Sequence, residues 1–291
     1  MNLQIKNIIS NHTAVAGVIE ALLLVALVSV IISTIQLVYI PEIMEQKEAD
    51  HMDEVENQFS QLKSVIDLQS QVKEKSPVST SITLGSRELP YFVTGRAFGR
   101  LSYEDDDHNH IEINDTSNQI NLNAIEFQSV NAYYLDQYYI LEGGGVILKQ
   151  DDGGEAMKIH PPITFENTSG ISQESIFLNW TVQNFTVLGG KRSAEGYKSC
   201  YIRTQFNSNK TLDFSDVSNL KIFTNYVDAW NQSVGWLLDQ MNFHENITIT
   251  NNDTYIEIRP VNNAKLNVKL EIVDINVQIG IGTIMQYTGK D

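Results

Sequence analysis

The chain reads as an α+β protein, with a long N-terminal membrane or stalk helix followed by an all-β, antiparallel, sandwich-like ectodomain carrying one inserted helix. Three observations predict this. Residues 14–40, AVAGVIEALLLVALVSVIISTIQLVYI, form one apolar run. Residues 42–75 contain no Gly and no Pro and abound in helix formers. From residue 76 onward the sequence breaks into short alternating runs divided by Gly, Pro, Asn and Asp.

Residues 1–13 are short, polar and weakly basic, as a leader or cytoplasmic segment would be. No small-x-small cleavage pattern follows the apolar run, as it would in a secretory signal peptide. At about 1.5 Å per residue the run 14–40 makes a helix of about 40 Å, against a hydrocarbon core of about 30 Å. It can therefore span a membrane. Its interior holds one carboxylate, Glu20, and one carboxamide, Gln36. Lys6 precedes the run, whereas Glu42, Glu45, Glu48 and Asp50 surround the single Lys47 after it. Because Lys and Arg are retained in the cytoplasm, this places the N-terminus inside and the C-terminal domain outside.

Past Pro41, the residues Met52, Val55, Phe59, Leu62 and Ile66 recur at alternating spacings of three and four. That is the seam of a helical stalk, over 41–75, that packs lengthwise on a partner or folds back on its own domain. Residues 76–291 form the β-rich extracellular domain, with strand-like runs such as QINLNAIEFQ, YYLDQYYILE, SIFLNWTVQNFTVL and KLNVKLEIVDINVQIGIG. Breaks fall at Gly143, Gly144 and Gly145, at Pro161 and Pro162, at Gly189 and Gly190, and at Asn262 and Asn263. The break near 161 suggests two lobes. One helical pattern interrupts the strands, with Val227, Trp230, Val234, Leu237 and Met241 on one face.

A formal net charge of −16 over 291 residues excludes a nucleic-acid partner, which requires a basic stripe. The lone cysteine, Cys200, allows no intramolecular disulfide, and its phase with Ile202 and Phe206 puts it on an apolar strand face. Acceptor triplets for N-linked glycan begin at Asn114, Asn167, Asn179, Asn184, Asn209, Asn231, Asn246 and Asn252, beyond the apolar run, while a ninth, at Asn11, lies too near the membrane on the inner side to be a good acceptor. Such triplets are usable only on an exported surface.

The stretch EDDDHNH is the one cluster of metal-ligand types, offering Asp105, Asp107, His108 and His110. It lacks the Gly pivot and spaced oxygens of a calcium loop and any Cys for a structural zinc site. A solvated hairpin tip with no metal is the reading. The Gly143-Gly144-Gly145 run has no helix and no Lys-Ser/Thr pair behind it, so it is a hairpin turn and not a phosphate loop. No nucleophile elbow or His-Glu-x-x-His occurs. Neither enzymatic activity nor a cofactor is expected.

The N-terminal stretch AGVIEALLLVALVSVIISTIQLVYIPEIMEQKEADHMDEVENQFSQLKSVIDLQ, with SITLGSRELPYF, AFGRLSY, YYILEGGGVILKQ, MKIHPPITF and the AW of NYVDAWNQ, resembles archaeal type IV pilin-like surface proteins. The likeness is to the uncharacterised branch typical of methanogens and their relatives. It implies a non-enzymatic, glycosylated cell-surface protein whose apolar helix mediates assembly while the β-domain is displayed for adhesion or structure. It also implies a leader peptidase as partner, cleavage at Gly17, Glu20 as the assembly contact, and association with further copies or other pilin-like subunits. The segment NHTAVA before Gly17 contains no Lys or Arg. Two other readings remain open: a permanently membrane-anchored monomeric binding module for an unknown extracellular ligand, and a metal-dependent ectoenzyme built on the acidic cluster.

Overall fold

The computed structural model describes residues 12–86, 97–115, 119–151, 153–169 and 174–280. Most of the expected leader and the YFVTGR run lie outside the described residues. A continuous helix runs from α1 (His12–Thr34) through a π-helical turn (Ile35–Tyr39) into α2 (Ile40–Val72). The wide turn has a local cause. Pro41 has no N–H to give to the carbonyl four residues back, and the Ile40 N–H already reaches five residues back to the Ile35 carbonyl. One extra residue is thereby absorbed just before the proline, and the helix passes through without breaking.

Between Ala16 and Tyr39 every residue is exposed. The helix is long and apolar enough to cross a membrane. Two of its hydroxyls are satisfied within the helix: Ser29 and Thr34 donate to the carbonyls of Val25 and Val30 at 2.7 and 2.9 Å.

A mostly β-strand domain follows, in three sheets. The first orders β1 (Val78–Thr83), β12 (Ser199–Phe214), β16 (Lys265–Ile279), β10 (Glu174–Val187) and β9 (Ile163–Ser169) side by side. The second contains β11 (Ser193–Gly196), β2 (Phe98–Glu104), β5 (Ala124–Val130), β6 (Gln137–Glu142), β7 (Gly145–Gln150) and β8 (Glu155–Ile159). The third contains β14 (Ile247–Asn251), β15 (Tyr255–Pro260), β13 (Leu220–Phe223), β3 (His110–Ile113) and β4 (Ile120–Asn121). Helix α3 (Val227–Met241) lies between β13 and β14.

The expectation of antiparallel sheets is corrected at one pair: β10 and β16 run parallel, from Ser175 opposite Lys265 to Val187 opposite Val277. A parallel pair needs a long crossover, and the chain between these two strands supplies it by building β11 to β15 and α3 on the way.

The seam of α2 is filled by the chain's own sheets, not by a partner helix. Met52, Val55, Phe59, Leu62 and Ile66 are buried in one core with Ile82, Leu101, Phe127, Tyr139 and Ile275. Three-and-four spacing suits a helix lying along an apolar sheet face as well as one in a coiled coil. Polar contacts fix its register. The Thr83 carbonyl meets His51 Nε2 at 2.9 Å, the Thr83 N–H donates to Gln58 Oε1 at 2.7 Å, and Gln69 Nε2 donates to the Thr204 carbonyl at 3.0 Å.

A second core, around Trp180 and Trp230, gathers residues of α3 and the third sheet. The long strands serve both cores by changing phase. In β16, Leu266, Val268, Leu270 and Ile272 belong to the second core, while Val273, Ile275, Val277 and Ile279 belong to the first. Since strand neighbours point to opposite faces, the two cores lie on opposite faces of this sheet. The same switch occurs in β10 between Val182 and Phe185. Strand β12 achieves it with a bulge between Phe206 and Ser208.

Candidate functional site

Gly17 and Glu20 stand on the bare part of α1, and both are exposed. A Cβ added at Gly17 would meet nothing within 4 Å. Among the described residues no polar group of the chain meets the Glu20 carboxylate. The site that this helix offers is therefore its own surface, apolar on every side, with one acid near its N-terminal end.

The eight Asn-x-Ser/Thr triplets beyond the apolar run fall into distinct environments. Asn184 is half-buried with its Nδ2 donating to Asp274 at 3.2 Å, Asn179 donates to Glu166 at 3.3 Å, and Asn209, though exposed, donates to Glu271 at 3.0 Å. Asn231 lies within α3, and the Ser233 of its triplet is buried and bonded to His160 at 2.8 Å. Asn246 is half-buried in the turn after α3. Asn114 is exposed at φ 56°, its Oδ1 accepting from the Ser218 N–H at 2.7 Å, while its Thr116 lies outside the described residues. Asn167 is exposed on the edge strand β9. Asn252 is exposed at a hairpin tip, and its Oδ1 accepts from the Thr254 N–H at 2.9 Å and the Thr254 hydroxyl at 3.1 Å.

The acidic stretch is spread over separate tasks. Asp105 pairs with Arg192, and His110 is buried and stacked on Phe223 at 4.4 Å. Asp107 and His108 are exposed. The unselected neighbour Asp106 accepts from the His108 N–H and from Asn225, contacts that hold its carboxyl below the usual range. Among the described residues, no three His, Cys, Asp or Glu side chains converge as a metal site.

Two fully buried carboxylates organise the domain: Glu48, which the sequence offered only as a flanking charge, and Glu142, which it did not single out. Glu48, on α2, is fully buried, and its two oxygens accept the backbone N–H groups of Ala132, Tyr133 and Tyr134 at 3.1, 2.7 and 2.8 Å. The signal was present, since Glu48 stands midway between Met44 and Met52 at four-residue steps on the buried face. Glu142 closes β6 and is also fully buried. Its Oε1 accepts from Thr224 Oγ1 at 2.7 Å and Trp230 Nε1 at 2.8 Å, and its Oε2 from Asn109 Nδ2 at 3.3 Å. A charged residue ending the apolar run YYIL was its signature.

Burial pushes Glu142 up to about 7, against the two donors Thr224 and Trp230, with Glu155 and Asp106 adding to the rise. Next to it, Gly143 makes the turn at φ 56°, with the two Trp rings 3.0–3.1 Å from where a Cβ would stand. Asn109 and Thr224 also line a cleft of about 400 Å³ with His108, His110, Phe223 and Asp253. Glu142 itself has no exposed surface, so this acid braces four segments and does not face the cleft.

No family model, curated protein or solved structure matches the chain.

Proposed function

We propose that the chain is a non-enzymatic, N-terminally anchored, glycosylated cell-surface protein, pilin-like in plan, whose apolar helix mediates assembly and whose sandwich-like β-domain with its inserted helix α3 is displayed outside. The observation that carries this reading is the wholly exposed apolar helix α1, with none of its apolar window buried and Glu20 facing no partner of its own chain. A carboxylate in hydrocarbon costs several kcal/mol unless it is paired, neutral or at the interface. In an assembly, the amino group freed by cleavage at Gly17 on a neighbouring subunit supplies the pair. N-terminal sequencing of the native mature protein, with shearing of cells, tests this: a processed N-terminus and release of polymer are expected, and Glu20→Ala abolishes release. A mature protein still beginning at Met1, with none shed on shearing, overturns the filament.

One observation favours a second reading, the permanently anchored monomeric binding module. The seam of α2 is consumed by its own domain, so of the long helix only α1 keeps an open apolar face for contacts between subunits. On that reading Glu20→Ala leaves surface display and binding unchanged.

A further inference from the structure

Helix α2 gives the β-domain a direction relative to the anchor. Glu48 binds the loop between β5 and β6, and about two to three turns further from α1 the helix meets β6 itself: Tyr139 Oη donates to Glu56 at 3.2 Å, and the rings of Phe59 and Tyr139 lie 5.9 Å apart. Strand β6 thus climbs beside α2 away from α1, and the β5–β6 loop is the end of that hairpin nearer the anchor. The β1 end belongs to the same level. His51 meets Thr83, the Leu84 N–H donates to the Lys198 carbonyl, and Gly85 packs against the backbone of Ala97 and Tyr197.

Beyond α2, the exposed large apolar side chains among the described residues are Val78, Phe98, Val130, Tyr133, Leu135, Phe177, Tyr197, Tyr201 and Trp236. Five of them, Phe98, Val130, Tyr133, Leu135 and Tyr197, collect at this one end. Phe98 is the direct cross-strand partner of Val130, and its ring meets that of Tyr197 edge-on at 6.3 Å. Leu135 and Val130 are each 50% exposed, although the loop between them is held by Glu48 and by Asp136, which caps the Asn131 N–H at 2.6 Å. Apolar side chains gathered at one end of the domain on a loop held in place form the kind of patch that marks a contact surface.

We propose that this end is a foot resting in the headgroup layer of the membrane that holds α1. The inference rests on the anchored reading of the chain. If Glu20 sits at the inner boundary, about 30 Å of helix places the outer boundary near Ile40, and Glu48 lies about 12 Å above it. The headgroup layer fills about 5–8 Å of that gap, and a helix tilt of about 20° lowers one side of the domain further. Tyr side chains favour this zone, where a ring can be half apolar and half wet. Lys47 and Lys198 line the cavity beside Tyr197 together with Asp50 and Glu54, so the surface is of mixed charge and suits a zwitterionic headgroup.

The test uses the full chain in phosphatidylcholine vesicles, with nitroxide labels placed singly at Leu135→Cys, Tyr133→Cys, Val25→Cys and Gln232→Cys. Unsubstituted protein, whose Cys200 is buried, sets the background. The expected result is that labels at 133 and 135 lose collisions with a water-soluble nickel chelate and gain collisions with oxygen relative to 232, with 25 shifted furthest. If 25 is shielded but 133 and 135 match 232, the foot is wrong and the anchor stands. If 25 is itself open to nickel, the anchored reading fails and the foot with it. Loss of nickel collisions at 133 and 135 without a gain in oxygen places a second protein copy there, which also overturns the lipid contact.

Discussion

Replacing Glu142 by Gln separates the charge of this buried acid from its shape. The carboxyl has an ordinary value of 4.5 and is raised to about 7 in the folded chain. Between these two values the native state holds a proton that the unfolded state has lost, so stability falls as pH rises through the window. The contribution is fully present below 4.5 and lost above about 7. A shift of that size corresponds to about 3 kcal/mol. The Gln variant keeps an oxygen for Thr224 and Trp230. Its amide can donate to Asn109 once that side chain turns over, because Asn109 Oδ1 has no hydrogen-bond partner. Thermal melts of the detergent-solubilised full chain should therefore coincide near pH 4.5 and diverge above it. By about pH 8 the variant should stand up to about 3 kcal/mol higher, or about 6–12 °C in Tm for a domain of this size. Melting curves that stay parallel from acid to alkaline pH, or a variant that is weaker throughout, would refute the argument.

Two further outcomes follow from named contacts. Glu48→Ala removes the acceptor of three backbone amides and should cost about 1–3 kcal/mol, with hydrogen exchange at Ala132, Tyr133 and Tyr134 rising ahead of the rest of the domain; unchanged protection there would show that the loop holds itself. Glycopeptide mass spectrometry of native protein should find Asn252 and Asn167 occupied more fully than Asn184, whose nitrogen is bonded to Asp274, and the reverse order would show that folding does not control access.

The sequence revealed the apolar helix, its seam and most strands because each depends on local periodicity. Met52 to Ile66 declared a buried face, but spacing alone could not distinguish a partner helix from the chain's own sheets. The parallel pairing of β10 with β16 was not legible, since it depends on what the intervening chain builds. The doubled apolar pair Ile272-Val273, by contrast, was in plain view and encodes the change of face. Glu48 and Glu142 escaped because their roles are set by groups far along the chain, the amides near Tyr133 for one and Thr224 and Trp230 for the other. The acidic stretch looked like one cluster, yet Arg192, Asn225 and Phe223 draw its members apart.

The position of β16 bears on when the domain can exist at all. It follows every other described strand in the chain, yet it lies between β12 and β10 and lines both apolar interiors. During synthesis, α2 and the earlier strands emerge with the middle of their main sheet vacant, and loop closure over such distances is slow. The main sheet thus stays incompletely closed until β16 has emerged, and its closure waits on that one strand.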